Sequence, residues 1–160
     1  MSEGEARRLG EALGRTAERG CALALVGPLG VGKTVVAQGV MRGLGWSGRV
    51  PSPTFGLMRQ YDGRLRAVHL DLYRLEAAAP EDVEWLGEAV EGAELAVVEW
   101  PERAWSILPE DRLVLALERD GAARRAQAAP SGPRSRAWWE RARQAFEAWP
   151  GGTGGGDPHE

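Results

Sequence analysis

The stretch Gly27-Pro28-Leu29-Gly30-Val31-Gly32-Lys33-Thr34 decides the fold of this chain. It follows a continuous apolar run, Cys21–Val26, and apolar residues then recur every four positions, at Val36, Val40 and Leu44. This order predicts a strand buried on both faces, a glycine-rich loop and an amphipathic helix. That is the context in which the pattern G-x-x-x-x-G-K-[ST] forms a phosphate-binding loop, or P-loop.

Lys33 is the only lysine among the 20 lysine and arginine residues of the chain. Arginine supplies positive charge everywhere else, so a compact ammonium on a flexible stem is specifically required at this position. In a P-loop the lysine reaches the β- and γ-phosphates, the main-chain amides surround the phosphate oxygens, and the next hydroxyl, here Thr34, binds Mg²⁺. The motif therefore indicates a nucleoside triphosphate as the ligand.

An acid at the end of a neighbouring strand is also expected, because Mg²⁺ and its waters need a carboxylate. Two candidates exist: Glu99, which ends the run Leu95–Glu99, and Asp71, which ends Val68-His69-Leu70-Asp71. Glu99 follows the more continuous apolar run and is favoured for the metal. Asp71 could instead be a hydrogen-bonded acid that fixes a hairpin, or both acids could act together, one on the metal and one on the attacking water.

Two further residues have a functional and a structural interpretation. Thr54 follows two prolines, where related NTPases place a loop that senses the γ-phosphate, but it could equally satisfy main-chain groups in a turn. Trp100 follows Glu99 and could wall the nucleotide site, although a core position is the simpler interpretation. His69 is interpreted as a strand residue rather than a general base, and the C-terminal tryptophans as the seam of a packed helix rather than a base-stacking surface.

The remaining patterns predict an α/β chain: a P-loop NTPase-type three-layer fold with a mixed, largely parallel central sheet and a β-hairpin. Asp62-Gly63 is a two-residue turn signal between strands predicted at 55–61 and 64–72. Further elements are predicted as helices at 3–19, 80–90 and 136–149, and as strands at 95–99, 112–118 and 123–129. We expect one P-loop ATPase domain over 1–150 and a disordered glycine-rich tail over 151–160.

Composition excludes several classes of protein. No run of 18 apolar residues is present, and the first residues lack the apolar core of a secretion signal, so the cytoplasm is the expected location. Cys21 is the single cysteine, which excludes an internal disulfide. Charge is uneven within the net −3: residues 76–102 hold acids and no bases, whereas 121–150 are rich in arginine. Such segments are either solvated helix faces or surfaces for a partner or RNA.

Taken together, these motifs resemble the TsaE (YjeE) family of small bacterial ATPases over about residues 9–132. The resemblance rests on the P-loop and on four motifs that follow it in order. These are Ser52-Pro53-Thr54-Phe55, His69-Leu70-Asp71-Leu72-Tyr73-Arg74-Leu75, Glu99-Trp100-Pro101-Glu102, and Pro130-Ser131-Gly132. The chain departs from the family at Pro28, where relatives usually carry an acid.

The resemblance implies ATP and Mg²⁺ as ligands and assigns a role to each site residue. The nucleotide would contact Gly27, Leu29, Gly30, Val31, Gly32, Lys33, Thr34 and Trp100, with Thr34 and Glu99 on the metal. Asp71 and Thr54 would lie near the γ-phosphate. Relatives support threonylcarbamoyladenosine (t6A) modification of tRNA by acting on a heterodimer of TsaB and TsaD-like subunits that transfers the threonylcarbamoyl group. Contact with tRNA would be indirect or weak, and no contact with a membrane is implied.

Two other functions share the P-loop. A small-molecule kinase would need a lid with arginines, but the segment between the predicted helix at 80–90 and the strand at 95 is too short for one, and the arginines cluster near the C-terminus. A non-catalytic module that changes shape with its nucleotide would need neither Asp71 nor Glu99.

Overall fold

A computed structural model of the chain describes residues 1–46, 57–75 and 79–149. Its strands are β1 Cys21–Val26, β2 Met58–Asp62, β3 Arg66–Asp71, β4 Leu95–Glu99, β5 Leu113–Asp120 and β6 Ala123–Pro130. Its α-helices are α1 Glu3–Thr16, α2 Lys33–Gly43, α3 Pro80–Gly92 and α4 Pro133–Glu147. Two short 3₁₀ turns, Pro101–Arg103 and Trp105–Ile107, follow β4.

The six strands form one sheet in the order β2-β3-β4-β1-β5-β6. The four inner strands are parallel, and β2 and β6 pair antiparallel at the two edges. Helices α1, α2 and α4 cover one face, where Leu23 and Leu25 of β1 are buried, and α3 covers the other, where Ala22 and Ala24 are buried. The predicted three-layer α/β fold with a mixed, largely parallel sheet and a hairpin is confirmed.

Helix α1 lies directly on the P-loop helix α2, main chain against main chain. Glycines four residues apart face each other, Gly10 and Gly14 in α1 against Gly39 and Gly43 in α2. A Cβ on Gly14 would lie 2.1 Å from the carbonyl oxygen of Val40, which is far inside contact distance. The two helices can therefore approach this closely only because all four positions lack a side chain.

Helix α1 ends at Thr16, three residues before the predicted end at residue 19. Arginines from elsewhere in the fold bind its last carbonyl groups. Arg64 donates to the carbonyl oxygens of Gly14 and Ala17, each at 2.8 Å, and Arg141 donates to that of Thr16 at 2.9 Å. These contacts satisfy the free carbonyls of the last turn, and Ala17 already has an extended backbone.

The hairpin turn spans Gly63 to Leu65, because Asp62 pairs with Arg66. The predicted two-residue turn at Asp62-Gly63 is therefore wrong by one position. The turn packs on the end of α2: Arg64 donates its main-chain N–H to the carbonyl oxygen of Leu44 at 2.7 Å, and a Cβ on Gly63 would lie 2.5 Å from that oxygen. This tertiary contact overrides the local turn preference.

Helix α4 begins at Pro133, earlier than the predicted residue 136, and ends at Glu147. The carboxylate of Asp111 accepts hydrogen bonds from the main-chain N–H groups of Arg134 at 2.8 Å and Ser135 at 2.9 Å, so a residue remote in sequence caps the helix. Trp138 is fully buried and donates its indole N–H to the carbonyl oxygen of Leu13 at 3.0 Å. The C-terminal tryptophan segment is thus a packing seam, as predicted.

Two predicted features lie outside the described residues: the Ser52-Pro53-Thr54-Phe55 motif and the tail at 151–160. Within 1–46, 57–75 and 79–149, no helix combines the length and the apolar character that crossing a membrane requires.

Candidate functional site

The glycine-rich loop joins β1 to α2, as predicted. Helix α2 begins at Lys33, and its N-cap Gly32 has φ 115°, a conformation that side-chain-bearing residues rarely adopt. Gly27, with φ 146°, passes so close to β5 that a Cβ would lie 2.4 Å from the carbonyl oxygen of Leu117. The loop thereby directs the first amides of α2 into an open cavity, an arrangement that binds phosphate.

Lys33 is 5% exposed and is held by its own loop. Its ammonium donates to the carbonyl oxygens of Gly27 and, at 3.0 Å, Pro28, and it lies 4.1 Å from the centre of the Trp100 ring. Burial lowers the pKa of Lys33, while the carboxylates of Glu99, Glu102 and Asp71 act in the opposite direction. A bound phosphate would give the Lys33 ammonium fully charged oxygens in place of these weaker carbonyl acceptors.

Thr34, Glu99 and His69 form a continuous hydrogen-bonded chain. The Thr34 hydroxyl donates to Oε1 of Glu99 at 2.9 Å, and Nε2 of His69 lies 2.6 Å from Oε2 of the same carboxylate. Glu99 is 2% exposed and His69 5% exposed. Burial alone would raise the pKa of Glu99, but the hydrogen bond and charge of His69, the Thr34 hydroxyl and the charge of Lys33 together hold that pKa below its ordinary value. Glu99 is therefore a buried, oriented carboxylate.

The register of the parallel strands brings the two candidate acids together. Asp71 lies beside Glu99 at the ends of β3 and β4, and His69, two residues earlier, projects from the same face as Asp71. Asp71 accepts a hydrogen bond at Oδ1 from the main-chain N–H of Tyr73 at 3.1 Å. Because Glu99 contacts Thr34 directly, it is the acid nearer the expected metal position.

Trp100 has the only left-handed backbone, φ 58°, among the non-glycine residues that the structure describes. Such a conformation is strained in a bulky residue and persists only where neighbours fix it. Tyr73 packs on the Trp100 ring with 5.2 Å between ring centres, and Lys33 contacts it from the loop. The indole therefore lies against the P-loop lysine and also packs on the edge of the core on the α3 face of the sheet.

A cavity of about 330 Å³ lies between these groups. Most of the predicted site residues line it, namely Leu29, Gly30, Gly32, Lys33, Thr34, Asp71, Glu99 and Trp100. Gly27 borders the site through its contact with Lys33, and the Val31 side chain is buried in the core, so only its main chain could contact a ligand. Thr54 lies outside the described residues.

Arg124 also lines this cavity. The resemblance to the family leaves its late arginine open between Arg124 and Arg125. The Arg124 guanidinium packs on the P-loop, with Nε 3.4 Å from where a Cβ of Gly32 would lie. Main-chain hydrogen bonds in both directions fix Arg124 to Met1, at 2.8 and 3.0 Å. Among the described residues, the buried Nε has no hydrogen-bond partner. Alternation along β6 separates Arg124 from Arg125, but the sequence does not show which of the two faces the loop.

The residues present fit a magnesium ion bound together with a nucleotide. Magnesium prefers oxygen ligands and usually takes only one or two of them from the protein, with waters and phosphates completing its shell. The Thr34 hydroxyl and the Glu99 carboxylate provide such a pair. Within the described parts of the chain, no group of three histidines, cysteines or acids could hold a metal by itself. The site thus suits a metal that arrives with phosphate oxygens.

Comparisons with known proteins point to one family. The family model described as threonylcarbamoyl adenosine biosynthesis protein TsaE matches residues 1–127. A Treponema pallidum protein named tRNA threonylcarbamoyladenosine biosynthesis protein TsaE is 42% identical over 112 residues, which cover 69% of this chain and 82% of that protein. A Bacillus subtilis protein of the same name is 40% identical over 106 residues, 66% of each chain. The crystal structure of Bacillus subtilis YdiB superposes with a TM-score of 0.75 and 27% identity, over 90% of both chains.

Proposed function

The chain belongs to the TsaE family, and we propose that it binds and hydrolyses ATP with Mg²⁺ to support t6A modification of tRNA. Its partner would be the threonylcarbamoyltransferase heterodimer of TsaB and TsaD-like subunits, and its location the cytoplasm. Hydrolysis by the chain alone would be weak and would rise when the heterodimer is present.

The observation that carries this proposal is the contact between Thr34 and Glu99 beside Lys33, in a cavity that opens at the N-terminus of α2. A nucleoside triphosphate and its metal require these three groups. Helix α2 supplies Lys33 and Thr34, and strand β4, which pairs with β1 next to it in the parallel sheet, supplies Glu99. The cavity is also walled by an aromatic ring, Trp100, that contacts the lysine.

Each residue would have a separate task during hydrolysis. Lys33 would leave the carbonyl groups of Gly27 and Pro28 and bind the β- and γ-phosphates. Thr34 and Glu99 would hold Mg²⁺, which supplies charge neutralisation at the phosphates when bound. Asp71 lines the same cavity without contacting Thr34, so it would orient the attacking water and take up its proton. Thr54 would complete the γ-phosphate side from the 52–55 motif.

Arg124 would extend the set of nucleotide contacts. Its guanidinium lies on the P-loop, and its buried Nε lacks a partner among the described residues. An unsatisfied buried donor is costly, and an anionic phosphate oxygen is the acceptor that would relieve the cost.

The arginines near the C-terminus support indirect rather than direct contact with tRNA. Arg125 pairs with Asp120 at 3.2 Å, Arg141 binds the end of α1, and Arg143 pairs with Glu140 at 2.7 Å. These intramolecular contacts use charge that an RNA-binding surface would need to present to phosphates.

The test is phosphate release from Mg-ATP by the purified chain, alone and with the heterodimer from the same organism. We expect slow release alone, a clear rise with the heterodimer, and loss of both in Lys33→Ala. Arg66→Ala, which removes an exposed arginine far from the P-loop motif, serves as the matched control. Unchanged release in Lys33→Ala would refute the proposal.

Two outcomes would favour the other functions. Transfer of labelled phosphate from ATP to a metabolite rather than to water would indicate a kinase. A Glu99→Gln variant that binds ATP, does not hydrolyse it and still supports repeated rounds of tRNA modification would indicate a non-catalytic module.

A further inference from the structure

A second, smaller cavity of about 100 Å³ adjoins the nucleotide cavity. Its wall is formed by Thr34, Leu57, Arg59, His69, Asp71 and Glu99. Thr34, Asp71 and Glu99 line both cavities, so these three side chains form a common wall. The smaller cavity therefore lies next to the Thr34, Asp71 and Glu99 oxygens that are expected near the terminal phosphate and its metal, on the side of β2 and β3.

Arg59 reaches this cavity because of its position in the hairpin. It pairs with His69 across β2 and β3, and paired residues of an antiparallel ladder project from the same face of the sheet. Its neighbour Met58 is buried on the opposite face with α3, whereas Tyr61, two residues on, is buried on the face of α2. Arg59 thus carries a positive charge on the same face as Asp71 and Glu99.

The carboxylates of this cavity do not use the donors of Arg59. Both oxygens of Glu99 are already engaged, one by Thr34 and one by His69, and Asp71 accepts from the main chain of Tyr73. Among the described residues, no hydrogen bond or ion pair involves the Arg59 guanidinium. Within residues 1–46, 57–75 and 79–149, its planar set of N–H groups is therefore open to an oxyanion.

We propose that Arg59 is a catalytic residue that donates to the oxygens of the terminal phosphoryl group as that group leaves ATP. The inference rests on the proposed hydrolysis. In that step a water oxygen forms a bond to Pγ, and the bond between Pγ and the β–γ bridging oxygen breaks. The electron pair stays on ADP, and a water proton passes to a carboxylate. Charge spreads over the equatorial oxygens of the phosphoryl group in the transition state, which is where a guanidinium acts.

The test compares Arg59→Ala and Arg59→Lys with wild type in the presence of the transferase heterodimer. We expect hydrolysis by Arg59→Ala to fall about 100-fold, the effect of removing one well-placed donor to a transition state. Affinity for ADP should stay within about 2-fold, since the transferred group is absent. Affinity for ADP with aluminium fluoride, which imitates the transferring group, should fall by the same factor as hydrolysis. Calorimetry measures both affinities without turnover.

Arg66→Ala is the matched control, because Arg66 lies in the same hairpin, has an exposed side chain and pairs with Glu94 at 3.5 Å. Arg66→Ala removes the same charge and should leave ATP hydrolysis, ADP affinity and affinity for ADP with aluminium fluoride unchanged. The assignment is overturned if Arg59→Ala binds ADP with aluminium fluoride as wild type does, or loses ADP affinity by the same factor. If wild type itself releases no phosphate from ATP, the proposed function fails, and the assignment of Arg59 fails with it.

Discussion

Replacing His69 with alanine tests whether the buried contact with Glu99 orients the carboxylate of the site. The change removes an imidazole that lies 2.6 Å from Oε2 of Glu99, and it leaves only the Thr34 hydroxyl, at 2.9 Å, on that carboxylate. Leaving a buried charged acceptor without one of its hydrogen bonds typically costs about 1–3 kcal/mol of folding free energy or more. Because Thr34 remains, we expect about 3 kcal/mol at pH 7, or a fall in Tm of roughly 6–12 °C for a domain of this size.

The cost should depend on pH with a defined sign. In the folded protein the pKa of Glu99 lies below its ordinary value of 4.5, so the stabilisation is complete above that value and is lost as pH falls through the lower folded pKa. Burial raises the pKa of Glu99 and His69 lowers it, so without His69 the pKa of Glu99 is higher in the variant than in wild type. The difference in unfolding free energy between wild type and His69→Ala should therefore be largest near neutral pH and smaller at pH 4.5.

The assay is urea unfolding without nucleotide for four proteins: wild type, His69→Ala, Glu99→Gln and the double variant. The coupling energy of this cycle isolates the contact between the two side chains. We expect His69→Ala to cost much less in the Glu99→Gln background, where no buried charge remains. An equal cost in both backgrounds, at both pH values, would show that His69 only fills space and would refute the reasoning.

Three further predictions concern contacts outside this pair. Arg124→Ala should weaken ATP and ADP binding about 10-fold, as expected for one charge-assisted phosphate contact, whereas Arg125→Ala, one residue away on the opposite face, should leave calorimetric affinity unchanged. Gly14→Ala should lower the urea midpoint by the equivalent of about 2 kcal/mol, because its Cβ would meet the main chain of α2, whereas Gly87→Ala, where nothing lies within 4 Å, should raise stability slightly. Asp111→Ala should cost about 1 kcal/mol by removing the cap of α4, and unchanged thermal unfolding would contradict that role.

The P-loop could be predicted in detail from the sequence because all its determinants are local. The apolar run of β1, the glycines and the spacing of apolar residues in α2 are contiguous, and their order alone defines the structure. Glu99 could be favoured over Asp71 for a similar reason, since it ends the more continuous apolar strand.

The environment of Glu99 could not be predicted, because it depends on the register of two strands. His69 reaches Glu99 only because β3 and β4 pair with Asp71 beside Glu99, and periodicity does not fix that alignment. Asp111 as the cap of α4 is non-local in the same way. The glycine pairs of α1 and α2 are visible as four-residue spacings, but the sequence does not show that the two faces meet.

The glycine contact between α1 and α2 has a mechanical consequence. Flexible side chains at a helix interface absorb small displacements of one helix against the other, because they can change rotamer. Here main chain rests on main chain, so α1 follows any movement of the P-loop helix as part of one stiff body. The far side of α1 is bonded to α4 through the Trp138 indole and the Arg141 guanidinium. A tilt imposed at the phosphate loop would therefore reach α1 directly and pass through these two side chains to α4, a helix that lies beyond the residues matched by the family.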